Sequence, residues 1–240
     1  MPADAPRVAL ISKDGETVRL ESVRRPSVSE IGTDAPLNEV GTPNWITGRA
    51  GMMYRDLLPD RLGGDVIASH IRILEGGEVP DSVHYHKIDF QLIFCLKGAI
   101  RVVYEDQGEP FWLKPGDCVL QPPEIRHRVL EAEAGSEVIE ITSPAEHETW
   151  FDPNMMLPTA EKRPNRDFGG QRFVRFIAPD TGYCGRRDLG VKAATGERHD
   201  AYVERIRPET DYSPITASYH GEKLSFKTSD FDMLVVQLKR

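Results

Sequence analysis

Between Gly64 and Thr142 the sequence is cut into short runs in which side chains alternate in character, separated by turns that carry glycine and proline. Alternation with period 2 is the mark of strands, because successive side chains point to opposite faces. In the run from Asp65 to Leu74, Ile67, Ser69, Ile71 and Ile73 share one face, and Val66, Ala68, His70 and Arg72 share the other. Glu75-Gly76-Gly77 turns the chain, and Pro80 keeps the next loop out of a central ladder. Strands are predicted near 83–86, 90–96 and 99–105, with Gly98 in the tight turn between the last two. Lys114-Pro115-Gly116-Asp117 has the Pro and Gly of a type II turn. Strands over 118–121, 126–131 and 137–142 follow, the first of them broken by Pro122-Pro123. No segment before residue 145 has a helical period. The pattern therefore predicts an all-β sandwich or barrel of the jelly-roll kind.

His84 and His86 lie two apart on one of these strands, so they point to the same face. Neutral imidazole is the commonest protein metal ligand near neutral pH. Gln91 can add an amide oxygen, and His127 must be brought in by the fold. His84, His86, Gln91 and His127, facing inward from strands, would make a mononuclear metal site.

These residues carry a resemblance to the cupin family. Its first motif runs Gly, five residues, His-x-His, three or four residues, Glu, six residues, Gly; here it reads His84-x-His86, four residues, Gln91, six residues, Gly98. Its second motif runs Gly, five residues, Pro-x-Gly, two residues, His, three residues, Asn; here it reads Gly116, five residues, Pro122-x-Glu124, two residues, His127, three residues, Glu131. The departures are Gln91 for Glu, Glu124 for Gly, Glu131 for Asn, and one extra residue between Gly77 and His84. The resemblance implies a cupin jelly-roll barrel with one divalent metal ion. Gln91 in place of Glu leaves the site one charge more positive, which weakens ion binding and raises Lewis acidity toward a bound anion. Fe(II) is the favoured ion, while Mn(II), Ni(II) and Zn(II) also suit imidazole.

Composition narrows the partners. Net charge is −8 with no long basic run, which argues against nucleic acid. No basic stretch followed by an apolar core opens the chain, and no apolar run is long enough for a membrane span. A cytoplasmic protein with a small-molecule substrate is expected. Cys95, Cys118 and Cys184 are read as free thiols in a reducing compartment.

The expected organisation has four parts: residues 1–63 as an N-terminal arm with strands, 64–144 as the metal-binding barrel, 145–170 as a linker, and 171–240 as a partial second cupin lacking the metal motif. Val8–Ile11 and Thr17–Leu20 flank the hairpin signal Lys13-Asp14-Gly15, and residues 26–44 read as an extended arm. The second copy rests on faint recurrences: Arg55-Asp56-Leu57 as Arg187-Asp188-Leu189, Ile71-Arg72 as Ile206-Arg207, and Leu96-Lys97 as Leu238-Lys239. It lacks a His-x-His, with His220 standing alone, and a barrel there does not close before Arg240. Either the chain is cut short, which is the favoured expectation, or its last strands complete the first barrel or a neighbour's. The apolar strand Met233–Leu238 would then be an exposed edge, and with the arm it suggests a homodimer.

His70 and Arg72 alternate with the apolar face of their strand, so they are candidates to line the cavity and bind a substrate carboxylate. Tyr85 should point away from the ligands into the core. The resemblance leaves three functions open. The favoured one is an Fe(II) dioxygenase acting on a small aromatic or organic acid. The others are a non-redox isomerase or lyase polarising a carbonyl, and a non-catalytic small-molecule-binding cupin.

Overall fold

Each predicted run between Gly64 and Thr142 is a strand in the computed structural model, which describes residues 8–13, 16–21, 45–179, 185–205, 216–220, 222–227 and 232–238. The chain begins with β1 (Val8–Lys13), β2 (Glu16–Glu21), β3 (Ile46–Thr47), β4 (Met53–Asp56), β5 (Ile67–Ile73) and β6 (Gly77–Glu78). It continues with β7 (His84–Lys87), β8 (Phe90–Lys97), β9 (Ile100–Tyr104), β10 (Phe111–Leu113), β11 (Cys118–Leu120), β12 (His127–Ala132), β13 (Ser136–Ser143), β14 (Glu148–Phe151) and β15 (Val174–Phe176). After β16 (Arg186–Asp188) comes the single α-turn α1 (Val191–Ala194), then β17 (His199–Arg205), β18 (Thr216–His220), β19 (Lys223–Lys227) and β20 (Asp232–Leu238).

Three sheets stack. The first runs β10-β9-β12-β7-β14-β1-β2, with β6 on β12; the second runs β15-β11-β8-β13-β5-β4-β3; the third runs β16-β17-β20-β19-β18. The first two face each other as a jelly roll. Ile100, Val102, Tyr104 and Leu113 of the first meet Ile71, Cys95, Val119 and Val138 of the second. The outer face of the second sheet is also covered. Ala68, Leu92, Phe94, Ile139 and Ile141 pack against Ala201, Val203, Phe226, Leu234 and Val236 of the third. This double burial explains why β8 reads almost continuously apolar, since a strand covered on both faces has no reason to alternate apolar with polar.

Turn chemistry holds the register. Gly98 has φ 64, and an added Cβ would lie 3.0 Å from Ser136 Cα, so both conformation and space demand glycine. Gly116 has φ 87 and the amide of Asp117 donates to the Lys114 carbonyl at 2.9 Å, which is the predicted type II turn.

The barrel extends past the expected boundaries. β14 lies between β7 and β1, so residues 148–151 are a barrel strand rather than linker, and β15 adds to β11 at the edge of the second sheet. The β1–β2 hairpin forms, with Lys13 opposite Glu16; the turn residues themselves, the arm at 26–44, Cys184, Ile206-Arg207 and Lys239 lie outside the described residues. Among the described residues the C-terminal strands β16–β20 do not join the sheets of the first barrel and instead form their own sheet. β20 is corrected from an edge to the central strand of that sheet, paired on one side by β17 and on the other by β19. The edge argument for a homodimer therefore loses its basis. Tyr85 is not core: it stacks on Trp150 with rings 6.4 Å apart on the outer face, beneath the Arg126 guanidinium. Cys95 and Cys118 are free and buried, and burial pushes both thiols up, Cys95 to about 12. No helix among the described residues is long and apolar enough to cross a membrane.

Candidate metal centre

β7 delivers His84 and His86 to one face, and the antiparallel register sets His84 directly opposite His127 on β12. The ring centroids of His84 and His127 are 4.3 Å apart, those of His84 and His86 5.1 Å, and those of His86 and His127 5.3 Å. The three offer ligand atoms all within 4.8 Å of one another, and all three side chains are buried.

Each ring is anchored through Nδ1. His84 Nδ1 donates to the Ser82 carbonyl at 2.7 Å, His127 Nδ1 donates to the Ile125 carbonyl at 2.9 Å, and His86 Nδ1 is hydrogen-bonded with Thr149 Oγ1 at 2.8 Å. Carbonyls only accept, so the proton of His84 and His127 sits on Nδ1 and the lone pair on Nε2. Outer partners of this kind fix tautomer and ring orientation in metal sites. Burial, then the Arg49 guanidinium and the other two imidazoles, holds His84 well below its ordinary pKa. Burial, reinforced by His147 and His127, does the same for His86, and burial lowers His127 to about 3. The rings are thus neutral at physiological pH, the form that binds metals. The donor set fits a divalent ion.

Gln91 belongs to the same cluster, through a residue that the sequence did not single out. Gln121 Nε2 donates to Gln91 Oε1 at 2.7 Å and lies 2.9 Å from His127 Nε2. Tyr104 donates its hydroxyl to Gln121 Oε1 at 2.9 Å, and its ring stacks on His127 with centroids 5.6 Å apart. Burial raises the Tyr104 phenol, so it remains a donor. The register puts Glu140 and Thr142 on the Gln91 face of the second sheet, with Glu140 between Ile93 and Ser69. The hydroxyls of Ser69 and Thr142 are buried with no hydrogen-bond partner among the described residues.

Arg49, Asp81 and His147 are also new. Arg49 Nη1 approaches His84 Nε2 to 2.7 Å and Asp81 Oδ1 to 2.8 Å. The His147 ring lies 5.3 Å from that of His86. Of these, Asp81 carried a local signal, three residues before His84 and just after Pro80; Arg49 carried none beyond its flanking glycines, Gly48 and Gly51.

His70 and Arg72 are corrected. His70 pairs across the sheet with Ile139, and Ile139 with Phe94, whereas Gln91 pairs with Thr142; the two sets occupy opposite faces. His70 is buried on the outer face, with Nε2 2.7 Å from Glu137 Oε2 and Nδ1 3.2 Å from Arg55 Nη2. Trp45 covers the group, with the Arg72 guanidinium 4.5 Å from its ring centre. The strand is polar there because an ion network, not a cavity, fills that face.

A family model described as "Cupin domain" matches residues 70–142. The chain carries a cupin domain. Among solved structures, a deletion mutant of the Bacillus subtilis oxalate decarboxylase OxdC is similar to this chain at 10% identity and TM-score 0.50, covering 88% of this chain and 78% of that one. KdgF from Halomonas sp. matches at 22% identity and TM-score 0.35, covering 42% and 87%. An RmlC-like cupin from Shewanella frigidimarina matches at 22% and 0.36, covering 42% and 84%. None of the curated proteins compared matches the chain. The family match and the likeness to the decarboxylase agree with the paired antiparallel sheets: the fold is an all-β cupin jelly roll.

Proposed function

We propose that this cupin is a metal-dependent enzyme that holds one divalent ion, Fe(II) by preference, on His84, His86 and His127, and works as a dioxygenase on a small aromatic or organic acid. The observation that supports this reading is the common anchoring of three buried, neutral imidazoles through Nδ1. His84, His86 and His127 would hold such an ion, which would supply redox and Lewis-acid chemistry. Imidazoles and the Gln91 amide leave the ion's charge uncompensated, which favours an anionic substrate.

The chain's own groups prepare the site. Gln121 orients Gln91, Tyr104 packs on His127, and the unpartnered hydroxyls of Ser69 and Thr142 offer hydrogen bonds on the face that carries Gln91. Residues 171–240 are read as part of a second cupin without a metal motif; the separate antiparallel sheet of β16–β20, stacked on the barrel, supports this, whereas β15 pairs with barrel strand β11.

The test is oxygen uptake by Fe(II)-loaded protein with hydroxylated aromatic acids. Oxygen consumed in step with substrate loss supports the dioxygenase. Turnover without oxygen replaces it by the second reading, a carbonyl-polarising lyase or isomerase, which the neutral donor set also favours through its Lewis acidity. A rise in melting temperature alone leaves a binding module.

A further inference from the structure

Gln121 follows β11 directly, and its side chain ends among the residues of the candidate centre. Its backbone amide donates to the Gln91 carbonyl at 2.9 Å, and Leu120 before it pairs with Leu92, so the main chain here is held by the ladder. The side chain is buried. Its amide nitrogen lies 2.7 Å from Gln91 Oε1 and 2.9 Å from His127 Nε2, the atoms that these two residues would offer to an ion. Neighbouring ligand atoms around one octahedral ion, each about 2.1 Å from it, stand about 3 Å apart. The end of the Gln121 side chain therefore already keeps the spacing of a ligand beside Gln91 and His127.

The end of the amide that faces those two atoms is its NH2 group, which only donates, whereas an ion needs an oxygen lone pair. A half-turn about the last side-chain bond exchanges the two ends and leaves the main chain in place. The opposite partner permits it. Oε1 accepts from the Tyr104 hydroxyl at 2.9 Å, and a hydroxyl has lone pairs to accept from an N–H as well as a proton to donate. Withdrawal of the whole side chain is opposed by its burial and by the paired main chain on which it stands.

We propose, on the reading that the three imidazoles hold a divalent ion, that Gln121 is a further ligand of that ion. Without the ion its amide nitrogen bridges Gln91 and His127. When the ion enters, the amide turns and gives it Oε1, while Nε2 donates to Tyr104. Two amide oxygens then join three imidazoles in a donor set with no charge of its own.

The experiment is titration of the apo protein with Zn(II) in competition with a chelating dye, for wild type, Gln121→Leu and Gln121→Glu, each checked for folding by circular dichroism. A ligand makes Gln121→Leu bind about 10-fold or more weakly, at least what loss of an outer partner costs. It makes Gln121→Glu bind more tightly than wild type, because a charged oxygen then stands in the same place. A Gln121 that only orients Gln91 by donating to it weakens both variants, since neither Leu nor an ionised Glu donates. A Gln121 that merely fills the site and departs makes Gln121→Leu bind more tightly. Either of these patterns, or a Leu variant with unchanged affinity, overturns the proposal. The proteins loaded with Co(II) give a second reading. Loss of a ligand oxygen should change the visible absorption band of Gln121→Leu, and a band identical to that of wild type overturns the proposal. Gln121→Met carries both readings if the Leu variant does not fold. A wild type that binds no Zn(II) overturns the metal reading first, and the proposal falls with it.

Discussion

His86 and Thr149 face each other across the β7–β14 ladder, and the register that pairs them places Thr149 Oγ1 2.8 Å from His86 Nδ1. A hydrogen bond to the remote nitrogen of a ligating imidazole sets its tautomer and direction. Thr149→Val keeps the shape and removes the hydrogen-bonding hydroxyl. It should weaken divalent-ion binding by about 10- to 100-fold, with the fold retained, as read by competition with a chelating dye.

Gln91 faces Gln121, whose amide also meets His127. Gln91→Glu puts a negative charge beside the three imidazoles. The attraction between unit charges a few ångströms apart is worth about 4 kcal/mol at the effective dielectric of such sites, before desolvation is subtracted. Ion affinity should rise by roughly tenfold or more, and the affinity of the loaded protein for carboxylates should fall. Titration calorimetry on the two proteins checks both.

His70 is held to about 4 on the outer face, first by burial, against the favourable hydrogen bond that its ring donates to Glu137. Its unfolded value is 6.5. A depressed histidine means that the unfolded chain takes up the proton first, so its contribution is fully present above pH 6.5 and is lost as pH falls from 6.5 to about 4. His199, lowered by burial and Arg198, acts in the same direction. The urea midpoint of the apo protein in chelator should be flat above neutrality and fall through that window. His70→Gln should shallow the fall; an unchanged slope would contradict the assignment.

Phe226 is fully buried between the third sheet and the barrel, in the same cluster as Phe94, Ile139 and Ile141. Phe226→Ala should cost about 3–5 kcal/mol. Because that cluster spans both sheets, the loss should appear in one cooperative unfolding transition rather than in a separate early step. Urea denaturation followed by tryptophan fluorescence and circular dichroism reads this directly.

The barrel strands and the histidines were legible because their signals are local. Period-2 alternation, the glycine turns at Gly98 and Gly116 and the spacing of His84, His86 and His127 all sit within the segments they describe. The face assignment of His70 was not legible. β5 is buried on both sides, one by the barrel interior and one by Trp45 and the third sheet, so alternation shows two faces without saying which is the cavity. The place of β20 at the centre of its sheet is equally non-local, since an apolar strand reads alike at an edge and in the middle. Arg49 and Gln121 reach the site only through tertiary packing.

The most direct test of the central claim is the metal content of freshly purified, tag-free protein beside His84→Ala and His127→Ala, each checked for folding by circular dichroism. The account predicts a stoichiometric divalent ion in the parent, as purified or after reconstitution, and its loss from both folded variants. Stoichiometric metal retained by both variants, or a parent that binds no ion even after reconstitution, would contradict it.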